Sequence, residues 1–442
     1  MKDHRLPTID VPKFPLPRVI EEALSEAEQR LAHRPKLSKL FRNCFPNTLE
    51  TTTKLLEDGT TFVLTGDIPA MWLRDSVEQV IHYVPFAKGD ESLQRILEGV
   101  IKRHMFYIQI DPYANAFNET ANDWHWNAAD ETTSSPWVWE RKFELDSMCF
   151  SFRLAYHYWK ETGRTGMFDE TFKDALISML DVWRIEQQHA ELSAYRFQRH
   201  NGIMIDTLRK QGLGMPVNNV GLIWSGFRPS DDACDFHFNI PSNMFAVVTL
   251  RHMQEIARYV YRDEHLVARM AQMEEEIQHA IELYGMINHP KYGRMYVFET
   301  DGYGNHILMD DAGTPNLMSA PYIGYCAPDD PAYLNTRGFI LSEDNPYYYK
   351  GEKLSGIGSP HTPPDYVWHL AYSMQGLTAV NPDEILHMIE ILESTDADTG
   401  YMHEGFHKDD PSIFTRDWFA WSNSQFAQLV WKALRLDLLD AK

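Results

Sequence analysis

The sequence predicts an all-α fold, a closed barrel of about twelve helices with long loops gathered on one face. Three observations carry that expectation. Apolar residues recur at i, i+3, i+4 and i+7 along most of the chain, strand-like runs are few and short, and every second helix follows a long loop rich in aromatics and carboxylates. About twelve helices make roughly six helical hairpins. Closed into a ring, they would bring those loops to one end and build a single pocket.

Taken in order, the first helical pattern runs from Val19 to Ala32. Asp75 to Phe86 follows the stretch from Thr65-Gly66-Asp67 to Trp72-Leu73-Arg74, and Ser92 to Ile110 comes next. Phe143 to Lys160 overlaps a loop that begins at Trp137, and Phe168 to Glu191 continues the pattern. Pro241 to Arg262 opens with Ile240-Pro241-Ser242-Asn243, a Pro and small polar residues ahead of an apolar run, which is a helix-start signal. Leu266 to Leu283 follows, with weaker patterns at Thr314 to Ser319 and Pro331 to Gly338. The loop from Ser355 to Pro364 precedes Pro364 to Thr378, then come Pro382 to Leu392 and, after Phe414-Thr415-Arg416-Asp417, the last helix from Asp417 to Leu436. Met295 to Glu299 is a strand-like run. No Ser/Gly linker or low-complexity tract divides the chain, so residues 1–442 are expected to form a single domain, with 1–17 as an N-terminal extension. A strict repeat is also missing, which argues against a solenoid.

Composition narrows the function classes. The 442 residues carry 41 Lys plus Arg against 63 Asp plus Glu, a net charge of −22 that repels phosphate backbones and anionic membranes, so neither nucleic acid nor membrane is an expected partner. Twelve Trp and 21 Tyr exceed what packing requires and suggest platforms on which a ligand stacks. Cysteines 44, 149, 234 and 326 have no short paired spacing and read as reduced thiols. Met1-Lys2-Asp3-His4-Arg5-Leu6-Pro7 leads into no apolar leader, which favours a cytoplasmic location. Oligomeric state leaves no signature in the sequence.

Two acidic elements are candidates for chemistry. Ser230-Asp231-Asp232, within Trp224-Ser225-Gly226-Phe227-Arg228-Pro229-Ser230-Asp231-Asp232-Ala233-Cys234, places adjacent carboxylates in an aromatic, Arg-bearing loop just before a helix. An Asp-rich turn that caps the helix is the plainer reading. The second element, Tyr401-Met402-His403-Glu404-Gly405-Phe406-His407, contains the H-E-x-x-H pattern of zinc peptidases. That pattern works on a helix, where the two His share a face, but Thr399-Gly400, Gly405 and Pro411 oppose a continuous helix here. Glu404 is then a lone carboxylate among aromatics, unless it is merely solvated or paired with Lys408. Two carboxylates from different loops of one pocket, near Asp231 and at Glu404, are what cleavage of a glycosidic bond requires. No P-loop or nucleophile-elbow spacing competes. Trp72-Leu73-Arg74-Asp75 sets a guanidinium and a carboxylate beside an indole, suited to a stacked sugar and its hydroxyls, or equally to a buried ion pair. Arg228, Asn243, His361 and Trp421 carry the same two readings.

Thr65-Gly66-Asp67-Ile68-Pro69-Ala70-Met71-Trp72-Leu73-Arg74-Asp75-Ser76, the segment Trp224 to Asp232, and Met402-His403-Glu404 resemble glycoside hydrolase family 125 from about residue 20 to the end of the chain. The first two motifs are long and specific; the third gains its meaning from position. The resemblance implies an (α/α)6 barrel and an exo-acting, metal-independent, inverting α-mannosidase with no cofactor, which removes terminal α-1,6-linked mannose from manno-oligosaccharides or N-glycan fragments. It further implies that Asp231, or next to it Asp232, is the general acid and that Glu404 is the general base. Substrate-binding roles are expected for Asp67, Trp72, Arg74, Asp75, Arg228, Asp232, Asn243, His361 and Trp421. An inverting pair stands roughly 6.5–9.5 Å apart, and general acid work near neutral pH calls for a raised pKa at Asp231. Other readings are a barrel glycosidase of different specificity, a zinc peptidase using His403, Glu404 and His407, and a non-catalytic glycan-binding protein.

Overall fold

The computed structural model describes residue 11 and residues 13–440. Six helices form an inner ring: Leu73–Glu78, Leu145–Thr162, Ile240–Ile256, Ala320–Ile323, His369–Thr378 and Ala420–Arg435. Each packs on the next, and the last packs back on the first, so the ring is closed. Among the described residues, six helices form an outer layer, Pro35–Cys44, Glu91–Ile110, Glu170–Glu186, Glu264–Tyr284, Pro331–Ile340 and Pro382–Ser394, with Arg18–Arg30 and three shorter helices besides. The chain is therefore an (α/α)6 barrel.

Burial patterns explain the two layers. From Ile240 to Leu250 the inner helix is buried on every side, as a helix enclosed by neighbours must be. Its outer partner Glu264–Tyr284 buries Leu266, Val267, Met270, Met273, Ile277, Ala280 and Ile281, one apolar stripe at helical spacing, and leaves its acidic face to solvent. Among the described residues no helix is long and apolar enough to cross a membrane.

Short antiparallel strands pin the loops that lead into the inner helices. Met71–Trp72, Ala116–Phe117 and Val138–Glu140 form one three-stranded sheet; Phe238–Asn239, Glu299–Thr300 and His306–Ile307 form a second; Tyr366–Trp368, Gly405–His407 and Asp410–Phe414 form a third. These strands move several expected boundaries. The helix expected from Pro364 begins at His369, because Tyr366–Trp368 pairs with Gly405–His407. Asp75 to Phe86 splits into Leu73–Glu78 and a 3-10 turn at Ile81–Phe86 that contains Pro85. Pro241 to Arg262 ends as an α-helix at Ile256, then widens into a π turn, with Arg262 left-handed at φ 56°. Thr314 to Ser319 is not helical. There the carboxylate of Asp310 accepts the N–H groups of Leu317 and Met318 at 2.8 and 3.1 Å, and the helix starts at Ala320. Helices at Pro35–Cys44 and Asn47–Thr51 were not anticipated. The Met1–Pro7 stretch, and most of the N-terminal extension expected over 1–17, lie outside the described residues.

Candidate active site

The loops entering the inner helices converge on one cavity of about 480 Å³. Five of the six loops line it directly: Asp67 and Trp72 precede the first inner helix, Glu140 and Lys142 the second, Asp231 and Asp232 the third, His361 the fifth, and Glu404 with Arg416 the sixth. Ile203, Ile205 and the half-exposed Trp126 form its outer rim. Acidic side chains outnumber Lys and Arg over the rest of the lining, whereas the rim is apolar.

Asp231 is presented by a tight turn. Its N–H donates to Arg228 O at 2.9 Å, Arg228 N–H donates to Asp232 O at 2.8 Å, and Asp231 itself adopts a left-handed φ of 65°. Asp tolerates that region better than most side chains. Behind the turn, Arg228 is buried and donates Nε to Glu299 at 2.5 Å, while Glu299 also accepts the N–H groups of Asp235 and Phe236. Arg228 thus anchors the turn and does not line the cavity.

A buried charge cluster backs Asp231. Arg74 Nη1 meets Glu144 Oε2 at 2.5 Å, Nη2 meets Asp231 Oδ1 at 3.1 Å, and Asp75 and Asp146 lie at 3.5 and 3.7 Å. Four carboxylates face one guanidinium, so they cannot all be ionised at low cost. Burial raises Asp75 and Asp146 to about 6 against the pull of Arg74, and pushes Glu144 well above the usual range. Asp231 behaves oppositely. Burial acts to raise it too, but Arg74, a hydrogen bond from Glu144, Lys142 and His361 outweigh that and hold it below the carboxylate range. The raised pKa expected at Asp231 therefore resides on its neighbour Glu144, because Glu144 is wholly enclosed whereas a quarter of the Asp231 side chain meets the cavity.

In the loop that leads to the sixth inner helix, Glu404 is held by Thr415 Oγ1, which donates to Oε2 at 3.0 Å, and by Arg416 Nη1 at 3.5 Å from Oε1. Arg416 also forks onto both oxygens of Asp67. Lys408, a conceivable partner of Glu404, pairs with Asp365 and Asp409 instead. His361 Nδ1 sits 2.9 Å from Asp232 Oδ1. Although burial works against its charge, Asp232 and then Glu404 and Asp231 raise the imidazole to about 9, so His361 is a cation at neutral pH.

Asp67, Trp72, Asp231, Asp232, His361 and Glu404 thus share one cavity. Arg74, Asp75, Arg228, Asn243 and Trp421, expected to touch substrate, are not among its lining residues. Asn243 is buried, with Oδ1 accepting Ile223 N–H and Nδ2 donating to Ile223 O and Asn239 O, so every hydrogen-bonding group is spent on backbone. Trp421 is buried 5.8 Å from the Arg74 guanidinium and supports it from behind. Sequence reasoning did not single out Glu144, Lys142, Arg416, Arg199 and Asp206. Lys142 donates to Asp206 at 2.5 Å and to Asp231 O at 2.7 Å, and Arg199 ties Asp206 to Asp130 and Glu140. The loops holding Glu144 and Arg416 stood out for aromatics and carboxylates, but no pattern marked these individual residues.

The H-E-x-x-H residues do not share a helix face. Gly405–His407 is a strand, and the His403 ring meets Arg416 O at 3.1 Å and Thr399 Oγ1 at 3.1 Å. Among the described residues no group of three or more His, Cys, Asp or Glu is arranged to hold a metal ion.

A closed (α/α)6 ring whose end cavity gathers carboxylates from several loops is the build of a glycoside hydrolase. Residues 34–431 match the family described as metal-independent α-mannosidases, GH125, and the chain belongs to it. The chain is 44% identical to a solved Streptococcus pneumoniae protein of the metal-independent α-mannosidases, in a non-productive complex with α-1,6-mannobiose; the match covers 96% of this chain and 99% of that one, with a TM-score of 0.92. It is also 37% identical over 450 residues to the meiotically up-regulated gene 157 protein of Schizosaccharomyces pombe, covering 96% of this chain and 86% of that protein. A GH78 rhamnosidase of Bacillus sp. GL1 shares the fold alone, at 14% identity and a TM-score of 0.55 over 89% of this chain and 34% of that one. The protein is an α-mannosidase, and membership of this family replaces the zinc-peptidase and non-catalytic readings.

Proposed function

We propose that the protein is an inverting exo-α-1,6-mannosidase in which Asp231 protonates the leaving oxygen and Glu404 activates the attacking water. The carrying observation is the contrast between the two carboxylates. Asp231 shares the Arg74 guanidinium with Glu144, whose enclosed carboxyl is pushed well above the usual range by burial, whereas Glu404 is held by the Thr415 hydroxyl and paired with Arg416. When substrate fills the cavity and displaces water, the ionised form of Asp231 loses solvation and the Glu144 proton passes to it. Asp231 then gives that proton to O6 as the bond to C1 breaks. Glu404 takes a proton from a water that attacks C1 from the opposite face, which inverts the anomeric centre.

The α-1,6 linkage draws support from the mannobiose held by the Streptococcus pneumoniae relative, which is described with the processing of N-linked glycans. Manno-oligosaccharides cut from such glycans are accordingly the proposed substrates. Four free cysteines suit a reducing compartment such as the cytoplasm. Time-resolved proton NMR of α-1,6-mannobiose tests the reading. β-Mannose appearing first supports inversion by this pair, and α-mannose first would make one carboxylate a nucleophile and overturn the assignment.

A further inference from the structure

A second hollow, of about 610 Å³, adjoins the catalytic cavity. Trp126 lines both. Its other walls are Trp124, Trp139, His125, Asn127, Ala128 and Ala129, with no Lys, Arg, Asp or Glu among them. Three indoles with an amide and an imidazole offer flat apolar faces and hydrogen-bonding groups. That chemistry suits a sugar, and no Lys or Arg is present to hold a phosphate.

The two outer indoles are costly as they stand. Trp124 is 37% exposed and Trp126 48% exposed, yet the loop bearing them is tied down along its length. Asn118 Nδ2 donates to Trp124 O at 2.8 Å, His125 Nδ1 donates to Val138 O at 2.8 Å, and Trp126 N–H donates to Trp139 O at 2.9 Å. Asn127 Oδ1 accepts Ala129 N–H at 3.0 Å and closes the turn. These bonds hold the backbone that carries the two exposed indoles. Fixed, exposed aromatics beside a ligand cavity are a preorganised stacking surface.

We infer that this hollow is a distal subsite for the leaving-group side of the substrate, which stacks mannosyl units beyond the first one past the scissile bond on Trp124 and Trp126. The inference rests on the exo-mannosidase reading above. The floor, with Asp231 and Glu404, takes the terminal mannose, so the rest of the chain must leave past the open rim where Trp126 stands.

The test compares kcat/KM for α-1,6-mannobiose and α-1,6-mannotriose in the wild type, Trp124→Ala and Trp124→Phe. One aromatic stack corresponds to about 3- to 10-fold in affinity. The wild type is expected to favour the triose by about that factor through KM. Trp124→Ala should lose this preference with biose kinetics unchanged, and Trp124→Phe should recover part of it. Equal kcat/KM for the two sugars in the wild type, or an equal loss on both in Trp124→Ala, would overturn the subsite while leaving the mannosidase reading intact. No turnover of either sugar would overturn both.

Discussion

Arg74 Nη2 lies 3.1 Å from Asp231 Oδ1, and the same guanidinium is the cation that faces Glu144, Asp75 and Asp146. Removing it as Arg74→Met leaves buried carboxylates without compensation. A loss of about 3–5 kcal/mol in stability is expected, visible in denaturant unfolding. Arg74→Lys keeps the charge but not the fork, so it should unfold closer to wild type while kcat falls. Equal stability of wild type and Arg74→Met would show that the cluster does not depend on this cation.

Asp231→Asn and Glu404→Gln each remove one proton-transfer group while preserving shape. Each should lower kcat by about 10²- to 10⁴-fold. Steady-state kinetics on α-1,6-mannobiose is the check, and wild-type rates in Asp231→Asn would sink its role as acid.

Glu144 is expected to set the alkaline limb of the pH–rate profile. Glu144→Gln still donates an N–H to Asp231 but brings no transferable proton, so Asp231 stays ionised to lower pH. The alkaline limb should therefore move toward acid, and kcat at neutral pH should fall while KM holds. An unmoved limb would mean that the proton reaches Asp231 by another route.

His361 is a cation below about 9, held so by Asp232 although burial opposes it. Its ring keeps 38% of its surface open to the cavity, so water screens the pair and binding is a better readout than stability. KM for the wild type should rise as pH passes about 9. His361→Gln should show a raised KM with no such inflection.

Asp310, buried, is pushed up to about 8 by desolvation, against the pull of the Leu317 and Met318 N–H donors. The folded state binds this proton more tightly than the unfolded chain does. Its contribution to stability is therefore fully present below the ordinary carboxylate pKa of about 4 and is lost as pH rises through about 8. Asp310→Asn mimics the protonated form, and its stability should fall less between pH 6 and 9 than that of the wild type. Parallel pH dependence in the two proteins would refute the assignment.

The helical period was legible because each outer helix must bury one stripe, as Glu264–Tyr284 does. Met295 to Glu299 overlaps the strands Gly293–Tyr296 and Glu299–Thr300, but most strands were not legible, since pairs such as Met71–Trp72 with Ala116–Phe117 are made between distant loops. Site residues divide the same way. Asp231 and Glu404 could be read from loop chemistry, and the cavity contains both. Asn243 was misread because an Asn at a helix start looks the same whether it binds a ligand or pins the preceding loop to Ile223. Glu144 went unseen because its importance comes from enclosure beside Arg74, which only the closed ring supplies.

The six-fold ring has an evolutionary consequence. Each wall of the cavity arrives on a loop from its own helical hairpin, so a change in one loop rebuilds one wall while the other hairpins keep the ring shut. The Trp124–Ala129 segment can therefore trade its indoles so long as Lys142, farther along the same loop, keeps its hold on Asp231 O. New glycan preferences are open to descendants of this protein one wall at a time, on an unaltered reaction centre.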